Sequence, residues 1–195
     1  MGRIPPWALR WLVLPLVLIL VLHSFAFGTF HVAGESMRDT LEPGDFLLVS
    51  KLAVSGAKIS GLLGAPTVPV QRGDVVVFRL PKNPSLVLVK RVIGVPGDRV
   101  RIQEGRLSVS EATDRGGGTP ASAAGARLEE AGTKGDFDGV VPNDSVFVVG
   151  DNRSAGASSD SREWGYLPAG FIVGKAVARL LPLQHARLLT PRDRG

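Results

Sequence analysis

The stretch Val87-Leu-Val-Lys90-Arg-Val-Ile-Gly94-Val-Pro-Gly-Asp98 decides the fold. Apolar and β-branched residues surround two adjacent cations, and Pro96-Gly97-Asp98 closes the run with a turn signal. Successive side chains of a strand point to opposite faces, so Leu88, Lys90 and Val92 share one face and Arg91 takes the other. Similar short runs recur at Asp45–Ser50, Asp74–Phe78, Leu86–Val89, Arg99–Ile102 and Ser145–Val149, bounded by Pro43-Gly44, Arg72-Gly73-Asp74 and Pro142-Asn143-Asp144. Glu104-Gly105 predicts a hairpin joining Arg99–Ile102 to Arg106–Val109. Strands at this spacing, with no convincing amphipathic helix, predict a mostly β domain of coiled or barrel-like antiparallel sheets.

Upstream, Trp11 to Phe30 contains no Asp, Glu, Lys or Arg. Roughly 20 helical residues at about 1.5 Å each cross the ~30 Å hydrocarbon layer, so one N-terminal transmembrane helix is expected over 11–30. Arg3 and Arg10 precede it and would hold residues 1–10 in the cytoplasm by the positive-inside rule, leaving 31–195 as an extracytoplasmic domain. A cleavable secretory signal is the competing reading, although the run exceeds the ~7–15 residues of an ordinary apolar core of such a signal. No second span is expected near Phe171–Leu189, where Lys175, Arg179, Pro182, His185 and Arg187 interrupt the apolar text. The stretch around 110–139 is rich in Gly, Ala, Ser and Thr and poor in large apolar residues, which predicts a flexible insertion.

The formal charge of +5 comes from basic residues scattered among acidic ones, without the aromatic interleaving that nucleic acid would call for. Anionic lipid headgroups are the expected attraction, particularly for Arg187, Arg192 and Arg194. The chain has no cysteine, which excludes a disulfide scaffold, a thiol nucleophile and thiolate-bound zinc. His23, His31 and His185 have no metal-ligand spacing, so neither metal nor cofactor is expected.

Chemistry must then come from hydroxyls, carboxylates and amines. Gly34-Glu-Ser-Met-Arg-Asp-Thr-Leu41 places Ser36 just beyond the apolar run. A serine hydroxyl is a poor nucleophile until a base takes its proton, and without a suitable histidine a neutral lysine can serve. At an unperturbed pKa near 10.4, fewer than about one lysine in a thousand is neutral at pH 7. Burial supplies the missing destabilisation of the ammonium, and Lys90 stands in text apolar enough to provide it.

Three blocks occur in order: Gly34–Leu41, the Lys90-Arg91 block ending in Gly94-Val-Pro-Gly-Asp98, and Gly150-Asp-Asn-Arg153 with Ser158-Ser-Asp160-Ser-Arg162. As a set, with the N-terminal apolar run, they resemble the bacterial type I signal peptidases, membrane-bound Ser/Lys proteases that remove signal peptides from exported proteins. The resemblance spans nearly the whole chain outside Ser110–Gly139. It implies that Ser36 attacks the scissile carbonyl, that Lys90 is the base, and that Ser158 hydrogen-bonds the lysine head. It further implies that Asp160 and Arg162 form a buried pair holding the Gly150–Arg153 turn against the lysine strand, and that Met37 lines pockets for small substrate side chains. The oxyanion would take the Ser36 backbone N–H; Gly34 carries no hydroxyl, so a second donor is not named.

Two departures from the family pattern stand out. Asp39 occupies a proline position, and four residues rather than two separate Arg153 from Ser158, leaving Ser154 and Ser159 as competitors for the lysine contact. The expected partners are exported preproteins with small residues before the cut, and membrane lipid; no nucleic acid is expected, and the chain is expected to be monomeric. Two alternatives stay open: a catalytically silent, membrane-tethered peptide-binding paralogue, and a self-cleaving Ser/Lys protease.

Overall fold

The computed structural model describes residues 13–14, 26–52, 70–111, 136–154 and 158–191. Most of the expected anchor and the middle of the expected insertion therefore lie outside the described residues. Among the described residues no helix is long and apolar enough to cross a membrane.

The main sheet is antiparallel. It is built from β1 (Phe27–His31), β2 (Phe46–Ser50), β3 (Val75–Leu80), β4 (Asn83–Gly94), β8 (Ser145–Val149), β9 (Leu167–Pro168), β10 (Ile172–Leu181) and β11 (Arg187–Leu188). Its strands run in the order β1-β2-β10-β3-β4-β8-β9, with β11 paired to β10. A smaller sheet has the order β6-β5-β7, from β5 (Asp98–Gln103), β6 (Arg106–Glu111) and β7 (Phe137–Val140). The β5–β6 hairpin turns at Glu104-Gly105 as expected, in the register Gln103 to Arg106.

Burial follows from the alternation. Along β3, Val75 and Val77 enter one core with Val32, Met37, Leu41, Leu47 and Val49, whereas Val76 and Phe78 enter a second with Val92, Val146 and Val148. A strand covered on both faces reads as an uninterrupted apolar run, which is how Val75-Val-Val-Phe78 reads. β8 joins the second core to a third: Val146 and Val148 face one, Phe147 and Val149 face the other with Val100 and Ile102.

Two expectations need correction, and one strand adds to them. Phe27–Phe30, placed in the anchor helix, belong to β1 and pair with β2 from Phe27–Ser50 to His31–Phe46. Apolar content alone does not distinguish the end of a helix from an edge strand; the pairing does. The 110–139 insertion is narrower than expected, because Ser110 lies in β6 and Phe137–Gly139 in β7. The segment rejected as a second span is the longest element missed. β10 is a central strand between β2 and β3, and its Lys175 and Arg179 are answered by Asp74 and Asp45 at 2.7 and 2.8 Å.

Candidate active site

The turn after β1 presents Ser36. Met37, 1% exposed, anchors it in the first core, and the Thr40 and Leu41 N–H groups both donate to the Met37 carbonyl. On β4, register opposite Val76 places Lys90 where its chain is buried, with 2% of its surface exposed. Lys90 Nζ is in hydrogen-bond contact with Ser36 Oγ, although the two are 54 residues apart in the chain. Burial lowers the pKa of Lys90 from 10.5 to about 8; the nearby Asp160 carboxylate opposes that shift and the Arg162 guanidinium adds to it. The amine is therefore held within range of deprotonation near neutral pH.

Asp160 and Arg162 form the expected buried pair. The guanidinium grips the carboxylate in two places, Nε to Oδ1 at 2.7 Å and Nη2 to Oδ2 at 2.8 Å, and Asp160 is fully buried. Burial pushes the Asp160 carboxyl up, but hydrogen bonds from Arg162, Ser158 and the Gly150 N–H outweigh it and hold it below the ordinary carboxylate range. The 3.0 Å bond from the Gly150 N–H ties the Gly150–Arg153 turn to this pair. Asp160 also caps a single helical turn, α1 (Ser161–Trp164), and the Ser161 hydroxyl accepts from the Val148 N–H. These side chains thus satisfy backbone donors of β8 and the turn after it in place of another strand.

Ser158 differs from the expectation. Its hydroxyl donates to Asp160 Oδ2 at 2.6 Å, and among the described residues no Ser158–Lys90 hydrogen bond is formed. The carboxylate is the stronger acceptor, so the single hydroxyl proton goes there and the oxygen keeps its lone pairs. Ser159 does not compete, since its hydroxyl donates to Glu163 at 2.6 Å and points to solvent. Ser154 is exposed, and its N–H bonds to Asn152. Met37 is a core residue; the half-open apolar groups packed against its cluster are Phe30, Val89 and Val173.

A second network went unread in the sequence. Arg91, beside the lysine, is 2% exposed and meets Asp151 through Nε to Oδ1 at 2.8 Å and Nη2 to Oδ2 at 2.6 Å. It also donates to the Gly73 carbonyl and to the Thr40 hydroxyl, which itself donates to Asp151 at 2.6 Å. The serine turn is thereby fastened to the lysine strand by a buried cation, a carboxylate and a hydroxyl. Asn152 adds a backbone bond to the Ser36 carbonyl at 3.0 Å and a side-chain bond to the Glu35 carbonyl at 3.1 Å. The adjacency of Arg91 to Lys90 was the available signal; a cation in apolar text needs a carboxylate, and the sequence does not say which.

The family described as "Signal peptidase, peptidase S26" matches this chain over residues 7–181. The chain belongs to the signal peptidase family. It is 36% identical over 196 residues to a signal peptidase I of Pseudomonas aeruginosa, covering 84% of this chain and 68% of that one. It is 34% identical to a signal peptidase I of Bacillus caldolyticus, over 94% of this chain and 92% of that one. A crystal structure of a signal peptidase I from Enterococcus faecalis V583 is 28% identical, with a TM-score of 0.39, covering 54% of this chain and 95% of that one.

In this member of the signal peptidase family, Gly150 has no room for a side chain. A Cβ there would press into the Ser158 hydroxyl and the Ser36 carbonyl oxygen. Gly150→Ala is expected to lower kcat on the order of 100-fold by pushing the serine off line, with far-UV circular dichroism unchanged. A kcat equal to wild type would show that the contact does not position the serine.

Proposed function

We propose that this chain is a membrane-anchored serine endopeptidase that removes signal peptides from exported preproteins, with Ser36 as nucleophile and Lys90 as general base. The observation that carries the reading is the buried, pKa-lowered Lys90 amine in contact with the Ser36 hydroxyl. The neutral amine takes the hydroxyl proton as Ser36 Oγ bonds to the scissile carbonyl carbon, and the resulting oxyanion is received by the Ser36 N–H. Collapse expels the new amino terminus, which takes the proton from Lys90. Water, deprotonated by the same amine, then hydrolyses the acyl-enzyme. Asp160, Arg162 and Ser158 act by position: they keep a fixed negative charge and its counter-ion beside the amine.

The substrate path follows from the sheet. Among the described residues β8 pairs with β4 only from Arg91 onward, while Asn83 and Val87–Val89 pair with β3 alone. The other side of β4 is thus unpaired up to Lys90 among the described residues, suited to an extended peptide added as a strand. Phe30 and Val89, packed against the core cluster that contains the buried Met37, would leave space for small side chains only. The apolar residues preceding Phe27 would anchor the chain, with the N-terminus cytoplasmic and the domain outside. Ten residues separate Ala26 from Ser36, at most ~35 Å fully extended. Five of them are taken up by β1, which keeps the serine near the membrane surface where a preprotein emerges. A silent binding module has no use for a desolvated amine against a hydroxyl, since that burial costs stability and adds no affinity.

Preprotein cleavage in detergent across pH tests the reading. The rate is expected to rise through about pH 8 and to fall about tenfold per pH unit on the acid side, because only the neutral amine accepts the serine proton. Sequencing the product should place the cut after a small residue. A rate flat from pH 8 to pH 5 would contradict a lysine base.

A further inference from the structure

The serine turn contains a backbone anomaly. Asp39 has φ = 91°, in the region that L side chains rarely adopt. Proline, which the family pattern carries here, has φ locked near −65°, so this turn takes a course that proline forbids. Such a conformation persists only where its surroundings over-determine it.

The inner side is well held. Met37 is in the core, Asn152 grips the Ser36 and Glu35 carbonyls, and the Thr40 hydroxyl is locked between Arg91 and Asp151. The outer side is different: it is backed by an open cleft of about 280 Å³ bordered by Asp39, Glu42, Arg179, His185 and Arg187. Arg179 is already committed to Asp45 at 2.8 Å and to His185 Nδ1 at 2.9 Å. Arg187 sits opposite Arg179 in the β10–β11 register, and its Nη2 reaches the Thr40 carbonyl at 3.1 Å. This bond fastens the backbone one residue past Asp39, from the side of the cleft.

We propose that Arg187 is a positioning residue: through the Thr40 carbonyl it holds the Ser36 turn against Lys90 in the strained course that the backbone takes at Asp39. The proposal rests on the Ser36/Lys90 reading above. Arg187 touches neither dyad member; its effect passes along the backbone from Thr40 to Ser36. A displaced serine binds substrate as before but attacks more slowly, so the loss falls on kcat.

The test is steady-state preprotein cleavage by the full chain in detergent, with thermal unfolding measured in parallel. Arg187→Ala is expected to lower kcat on the order of tenfold, with KM within about twofold. Arg187→Lys should regain part of the loss, since an ammonium also donates to a carbonyl. Arg187→Ala combined with Asp39→Gly should regain most of it, because glycine takes a positive φ without strain. A general structural role would not be relieved at Asp39. Wild-type kcat in Arg187→Ala, or no recovery in the double variant, overturns the proposal. Should Arg187→Ala not fold, Arg187→Lys and Arg187→Gln decide: kcat descending from Arg to Lys to Gln is expected, and equal values overturn it. Wild type and Ser36→Ala run alongside. An inactive wild type or an active Ser36→Ala sinks the dyad itself, whereas normal controls with a fully active Arg187→Ala sink the brace alone.

Discussion

Lys90→Met is expected to abolish preprotein cleavage, by on the order of 10³–10⁴-fold, while raising the melting temperature. The two effects share one cause. Burial lowers the Lys90 pKa from 10.5 to about 8, so below pH 8 the folded chain binds that proton more weakly than the unfolded chain does. The difference is on the order of 3 kcal/mol against the folded state. Between pH 8 and 10.5 the unfolded chain carries more protons, so wild-type stability climbs with pH across that window and is level below it. Methionine fills similar space without an ammonium, which should remove both the penalty and the climb. Asp160 is not orphaned by the change, because Arg162 grips it at two points. Calorimetry at pH 7 and 10 on the detergent-solubilised chain, beside a cleavage assay, reads both effects. A variant that cleaves, or one that melts below wild type at pH 7, would contradict the account.

Ser36→Ala should be equally dead but should change the protein differently. Without Oγ no acyl-enzyme forms, and the amine has nothing to activate toward the carbonyl except water, which is not held in line. A loss on the order of 10⁴-fold or more is expected. Stability should move little, since Ser36 is half-buried and its turn is held by Met37, Asn152 and Thr40 rather than by its own side chain. On the proposed path along β4 the preprotein should still bind, so the variant should co-purify with uncleaved substrate. Cleavage at the wild-type rate would place the nucleophile elsewhere.

Legibility in the sequence tracked how local the cause was. β2, β3, β5 and β8 were readable because β-branched runs bounded by Pro-Gly and Gly-Asp turns carry their own dihedral preferences. The Ser36, Lys90 and Asp160–Arg162 positions were readable from ordered blocks. β10 was not, because Lys175 and Arg179 look like interruptions until Asp74 and Asp45, from the loops entering β3 and β2, are found beside them. Arg91 read as a residue facing elsewhere; its carboxylate lies 60 positions on. The bond from Ser158 turned toward Asp160 instead of Lys90 because a hydroxyl has one proton and the carboxylate competes best for it.

By itself the amino-acid order determined a β-rich chain behind an apolar leader, with a hydroxyl and an amine as its available chemistry. Only the tertiary structure decided that the amine is dry, that the hydroxyl touches it, and that Phe27–Phe30 is an edge strand. Alternation and turn preference are properties of neighbouring residues, whereas desolvation and charge pairing depend on which distant segments exclude water together.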